Sequence, residues 1–329
     1  MNGWQRGLTE AGVGDPRLRA EYTRQARGLA RYVPAHYAAL RLLLAPATAV
    51  HVVAAMSFMH TCDELLDRDD RAPAELRAAR FAEYETRVRL ALASPRAPSG
   101  GLAPLWHTAR THPRLAGCVE DFLRAAPTDL YFAGFEQESD FAAYVDGYTL
   151  PGLLLIAAVL AAPEEPPERL RESVRLLAVP VQRIDFLTDL AEDLRAGRVC
   201  LPRADLRATE VRPDDLRQGR GTAQVRALLA RTAAKCWADL AAAKRAMAGF
   251  PPLYVPMVAA QLDVYAHLLQ LAEARGPRLL RAGVRPRIPA AAAILLRHRG
   301  RTRTEAPPAT SRPSRPVTAA SAGRDRRRG

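Results

Sequence analysis

The chain has 329 residues, 48% of them hydrophobic, enough for a sizeable core, and a formal charge of +13. The charge is uneven: residues 297–329 hold ten arginines against Glu305 and Asp325. The rest carries only a small excess and needs no nucleic-acid groove. Four scattered cysteines, Cys62, Cys118, Cys200 and Cys236, form no C-x-x-C pair; they read as reduced core thiols of a cytoplasmic protein, not as a zinc site.

Alanine, leucine and arginine dominate, alternation of β-branched residues is scarce, and no internal repeat is visible, so the pattern predicts an all-α fold. Residues 1–16 read as an N-terminal extension without the apolar run of a signal peptide. Helices are predicted near 16–30, 35–45, 47–67, 73–93, 115–126, 138–162, 167–196, 222–248 and 254–275, with proline- and glycine-rich joints between several of them. The longest apolar stretch, Leu150 to Ala162, contains Pro151 and falls short of the roughly 20 residues a membrane span requires. Residues 297–329, rich in Arg, Pro, Ser and Thr, read as a disordered basic tail, which leaves 17–296 as one folded domain. A greasy substrate could still bring the protein to a membrane surface.

Two acid clusters carry the chemistry. In the predicted helix 47–67, residues 51–62 are apolar nearly all round, as in a helix buried among others. Asp63 and Asp67 continue it one turn apart, and no arginine follows until Arg68. Buried carboxylates need partners, and Mg²⁺ would supply one. His60, three residues before Asp63 on nearly the same face, reads by itself as a satisfied core histidine more readily than as a functional one. Tyr144 and Tyr148 read as core packing or as the polar lip of a pocket. In the second cluster, Asp185, Asp189 and Asp193 share one helical face with Gln182, opposite Ile184, Leu187, Ala191 and Leu194. A plain solvated face would look the same, so both readings stay open. Two such clusters facing each other across a helical bundle could hold several Mg²⁺ ions and trap a diphosphate.

The run from Gln182 to Pro202, QRIDFLTDLAEDLRAGRVCLP, closely resembles the second aspartate motif of squalene and phytoene synthases, including its G-R-x-x-L-P ending. Further support comes from Tyr37–Leu44 upstream of the first acids, from Asp129-Leu130, from Tyr144-Val145-Asp146-Gly147, and from the helix carrying Tyr265 ahead of Arg281. The resemblance spans roughly residues 17–295. It implies the all-α isoprenoid synthase fold, a single helical bundle around a central cavity that receives an isoprenyl diphosphate. It also implies Mg²⁺ at Asp63, Asp67, Asp189 and Asp193, with Gln182, Tyr144, Tyr148, Tyr265, Arg281 and Arg41 as substrate-binding positions.

The departures from that family are specific. His60 and Thr188 stand where the family has arginines, Gly134 where it has a further one, and Asp185 where it has asparagine. Head-to-head synthases hold two diphosphates in one cavity, and each lost arginine removes about 1.5–3 kcal/mol of charge-assisted hydrogen bonding. The expected chemistry is therefore transfer from one isoprenyl diphosphate to a small-molecule acceptor lacking diphosphate, such as an indole or carbazole, as in the phytoene-synthase-like aromatic prenyltransferases of secondary metabolism. The alternative is ordinary head-to-head condensation to squalene, dehydrosqualene or phytoene. A non-catalytic scaffold would have no reason to keep clustered, repelling carboxylates. The proton acceptor would be Asp185, His60 or the released diphosphate.

Overall fold

The computed structural model describes residues 3–67, 72–247 and 254–304, with side chains as far as 299, and among them there is no strand. The first half contributes α1 (Gly3–Glu10), α2 (Pro16–Tyr32), α3 (Pro34–Leu43), α4 (Pro46–Asp67), α5 (Ala74–Ala93), α6 (Ala103–Thr111), α7 (Arg114–Ala125), α8 (Glu138–Tyr144) and α9 (Leu150–Leu160). The second contributes α10 (Pro167–Thr188), α11 (Leu190–Arg195), α12 (Arg203–Ala208), α13 (Pro213–Arg217), α14 (Ala223–Ala246), α15 (Val255–Arg275) and α16 (Ile288–Thr304).

Local chemistry explains the starts. The Asp15 carboxylate accepts hydrogen bonds from the backbone N–H of Arg17 and Leu18 (2.6 and 3.0 Å), and Pro16, Pro34 and Pro46 open α2, α3 and α4 where a missing N–H costs nothing. α4 is buried at every residue from Ala49 to Phe58. It packs on α1, α2, α5, α6 and α9, while α10 packs on α9, α14 and α15. These two central helices bring the acid clusters into one bundle.

Several predicted elements differ in the structure. The expected helix 138–162 is α8 and α9 joined by a wide π-turn, Val145–Thr149, which accommodates Pro151 in the first turn of α9. As one run, Glu138–Leu160 is long and apolar enough to cross a bilayer by length and composition, against the sequence expectation, but 61% of its most apolar 18-residue window is buried inside the bundle. It is a core helix. The expected helix 167–196 breaks at Asp189 (φ −98°, ψ 7°). At the N-terminus, Trp4, Leu8 and Val13 belong to the core, so residues 3–13 are part of the domain. A Cβ at Gly7 would lie 2.6 Å from the Pro46 carbonyl oxygen, a measure of how closely α1 sits on α4. At the other end α16 runs through Thr304, and buried His298 bonds the Asp263 carboxylate at 2.9 Å. The first eight residues of the expected tail are thus helical, and those from 305 on lie outside the described residues.

About three turns before the acids, α4 carries a buried histidine, His51, packed against the half-buried His107 and His112. His51 sits 5.6 Å from the His107 ring and 4.8 Å from that of His112, and its Nδ1 lies 3.1 Å from Thr108 Oγ1. Burial and the two neighbouring imidazoles push the His51 pKa down to about 3. A depressed histidine pKa adds stability above the unfolded value near 6.5 and loses it as pH falls toward 3. His51→Gln is therefore expected to flatten the acid side of the stability profile. Between pH 7 and 4.5, chemical denaturation should show the wild type losing ~2 kcal/mol more than the variant; parallel profiles would contradict it.

Candidate active site

The last turn of α4 carries Asp63 and Asp67, and the 3-10 turn Ala126–Tyr131 adds Asp129 beside them. Burial, reinforced by the charges of Asp67 and Asp129, pushes Asp63 up to about 7. Burial and Asp129 raise Asp67 as well, opposed by Arg198 and Arg77. The Tyr144 hydroxyl donates to Asp129 Oδ1 at 2.7 Å. Tyr148 lies among the same acids: burial, then Asp63, Asp129 and Asp67, hold its pKa far above normal.

Across the bundle, Asp185 on α10 accepts a hydrogen bond from the Tyr265 hydroxyl of α15 (3.3 Å), and burial followed by Asp189 raises its pKa to about 7. Asp189, at the helix break, pairs with Arg285, which also reaches Glu192 at 3.1 Å. Arg198 joins the two sides, donating to Asp193 Oδ1 (2.8 Å) and to Asp129 Oδ2 (3.3 Å).

Arg285 is placed by a tight backbone approach. Val284 N–H donates to the Thr188 carbonyl at 3.0 Å, and a Cβ at Gly283 would lie 2.7 Å from that same oxygen. Gly283→Ala must therefore shift the strap carrying Arg285. The expected cost is ~1–3 kcal/mol of stability, the range for forced overpacking. An unchanged melting temperature would show that the backbone yields freely.

A cavity of about 780 Å³ opens beside the Asp185, Asp189 and Arg285 side of the site. Asp185, Asp189, Thr188 and Tyr265 face it alongside a largely aliphatic lining that includes Leu153, Ile156, Leu177 and Leu268. The site thus couples clustered carboxylates to a greasy chamber. The acids offer hard oxygen donors in pairs, and among the described residues no three acidic, histidine or cysteine groups converge as a metal cage. Such a set fits Mg²⁺, which is bound through one or two carboxylates plus substrate phosphates and keeps several waters. It does not fit a closed nitrogen and sulfur site.

A sequence model of the Squalene/phytoene synthase family matches residues 30–292. The chain belongs to that family. Its members are prenyl-transferring enzymes. Similar solved structures include squalene synthase HpnC from Alicyclobacillus acidocaldarius, 22% identical over 81% of this chain and 98% of that one, with a TM-score of 0.69. A dehydrosqualene synthase in complex with ligand is 16% identical over 91% and 99%, with a TM-score of 0.72. YisP from Bacillus subtilis subsp. subtilis strain 168 is 17% identical over 90% and 99%, with a TM-score of 0.61. At such identities these structures show the fold. No curated protein is close enough in sequence to count as a relative.

Within this squalene/phytoene synthase frame, Asp185, Asp189 and Tyr265 come together at the cavity, while Asp63, Asp67, Asp129, Tyr144, Tyr148 and Asp193 form the acid group joined through Arg198. Four sequence candidates do not line the cavity themselves. His60 stacks on Tyr32 (3.6 Å between centroids) with Nε2 3.6 Å from Glu64, so it backs a ring that lines the cavity and lies near Asp63 and Asp67. Arg41 lies over the Trp4 ring at 5.2 Å, covering α1. The Arg281 side chain packs beside Gly219, and its carbonyl accepts from Arg195. Gln182 accepts from Thr149 Oγ1 at 2.7 Å, tying α10 to the π-turn. Sequence reasoning assigned no role to Asp129 or Arg198, although both lie in the motifs it used. Arg285 carried no motif signal at all.

Proposed function

We propose that this squalene/phytoene synthase family member takes a single isoprenyl diphosphate and transfers its prenyl group to a small aromatic acceptor of the indole or carbazole kind, in secondary metabolism in the cytoplasm. The observation that carries this reading is how the cations around the acids are used. Arg198 is engaged by two carboxylates and Arg285 by two more, and Arg77 donates to the Leu66 carbonyl (2.8 Å). Where the family has arginine, this chain has His60, stacked beneath Tyr32, and Thr188, buried at 3% exposure. Arg68 and Arg71 lie outside the described residues. This use of the cations supports a site for one diphosphate in preference to two.

In this mechanism the diphosphate lies between the acid groups, where Arg198 and Arg285 donate to its oxygens. Mg²⁺ bound at Asp63, Asp67, Asp189 and Asp193 would neutralise the charge that develops on the leaving group. The aliphatic lining excludes water from the allylic cation. The acceptor's π-electrons attack C1, a carbon–carbon bond replaces the carbon–oxygen bond, and Asp185, facing the cavity beside Tyr265, takes the ring proton.

Incubation with Mg²⁺ and geranyl, farnesyl or geranylgeranyl diphosphate, with and without indole or carbazole, tests the reading by mass spectrometry. The expected products are prenylated aromatics, with one diphosphate bound per site by calorimetry and no coupled dimer from the donor alone. Presqualene or prephytoene diphosphate, squalene, dehydrosqualene or phytoene at ordinary turnover would establish head-to-head condensation instead.

A further inference from the structure

The cavity wall carries polar groups that a hydrocarbon cannot use. Gln261 and His36 both line it, and neither has a hydrogen bond or ion pair with any described residue. A polar side chain facing an isoprenyl chain forfeits hydrogen bonds that water or a polar ligand would give it. Met257, Val264 and Leu268 on the same helix are apolar, and Tyr265 there has Asp185 as its partner.

Position makes Gln261 informative. It precedes Tyr265 by four residues on α15, so the two side chains share a face one turn apart. Tyr265 in turn bonds Asp185. The Gln261 amide therefore sits one turn along the wall from the group assigned above to take the acceptor's proton. His36 occupies the first turn of α3, which packs on α15. His36 keeps an exposed surface on the cavity wall, and partial desolvation together with the positive end of α3 disfavours the imidazolium, so a neutral ring with one donor and one acceptor nitrogen is available there.

We infer that Gln261, with His36 on the neighbouring wall, forms a hydrogen-bonding subsite for the acceptor, whose class is a flat apolar aromatic carrying one ring N–H or O–H. This rests on the proposed use of an acceptor that lacks diphosphate. The Gln261 carbonyl oxygen or a His36 nitrogen accepts from the acceptor's N–H, which leaves the ring's nucleophilic carbon directed toward Asp185 and the diphosphate end. A second prenyl chain would gain nothing from either group.

The test compares indole with indene, which has the same fused-ring frame without the N–H, by calorimetry on the full-length protein. Titrations are made with and without Mg²⁺ and farnesyl thiodiphosphate, a donor analogue that resists ionisation. Wild type should bind indole roughly three- to tenfold more tightly than indene, the range for one neutral hydrogen bond. Gln261→Met and His36→Phe, both similar in bulk and checked for folding by thermal melts, should bring that ratio toward one. Equal binding of the two rings by wild type, or binding of neither, overturns the subsite. A preference that survives either substitution removes that residue from it. Failure of wild type to bind the donor analogue would instead count against the proposed function, and the donor-free titrations would still decide the subsite.

Discussion

Asp63→Ala is expected to reduce prenyl transfer at saturating Mg²⁺ by ~100-fold or more, a barrier increase of about 2.7 kcal/mol, while the apo protein melts at the same temperature or slightly higher. The two effects have one cause. Burial and the charges of Asp67 and Asp129 push the Asp63 pKa up to about 7, so the folded chain holds this carboxylate against its preference to be solvated. Removing it relieves repulsion in the empty site. Under the proposed mechanism the same removal takes away an oxygen donor for the ion that neutralises the leaving diphosphate. Asp63→Asn should behave alike, because an amide keeps the shape and loses the charge. Steady-state kinetics and thermal melts on both variants check this. Retention of more than about a tenth of wild-type turnover, a barrier change below ~1.4 kcal/mol, would end the metal assignment for Asp63.

The central architecture was legible because it depends on periodicity. Residues 51–62 of α4 are apolar nearly all round, as in a core helix, and the turn that follows then carries Asp63 inward. The second acid cluster was legible as a motif but not as a shape. A continuous helix places Asp185, Asp189 and Asp193 on one face, whereas the break at Asp189 turns Asp193 toward Arg198 and leaves Asp189 for Arg285. Nothing in residues 182–196 announces that break. It coincides with contacts from residues 283–285, about a hundred positions later, including the Val284 N–H on the Thr188 carbonyl. Basic residues were the least legible. Arg41, Arg281 and Arg285 are indistinguishable as sequence, and only tertiary packing sends the first to Trp4, the second to Gly219 and the third to the acids. His60 illustrates the same limit: its spacing to Asp63 suggested a shared face, but stacking on Tyr32 determines where the ring points. Residues 3–13 looked like an extension because α1 is short, and a helix of eight residues acquires its order from packing on α4.

Arg198→Leu is expected to impair both folding and donor binding, and the comparison with Arg198→Lys separates the two. The guanidinium bridges Asp129 and Asp193, the latter only 6% exposed. Leucine leaves that buried carboxylate without its cation. Because the Arg198 side chain is itself 41% exposed, water screens part of the loss, and a destabilisation of ~1–3 kcal/mol is expected rather than the larger cost of a fully buried pair. Lysine restores the charge and most of this stability, but it offers a point charge where arginine offers a planar fork. It cannot hold two carboxylates and a diphosphate oxygen in one fixed geometry. Arg198→Lys should therefore melt close to wild type yet bind farnesyl thiodiphosphate with Mg²⁺ about tenfold more weakly, the equivalent of one charge-assisted hydrogen bond. If the lysine variant binds the donor analogue as tightly as wild type, Arg198 serves only to neutralise Asp129 and Asp193. The diphosphate would then depend on Arg285, whose removal would have to produce the larger loss.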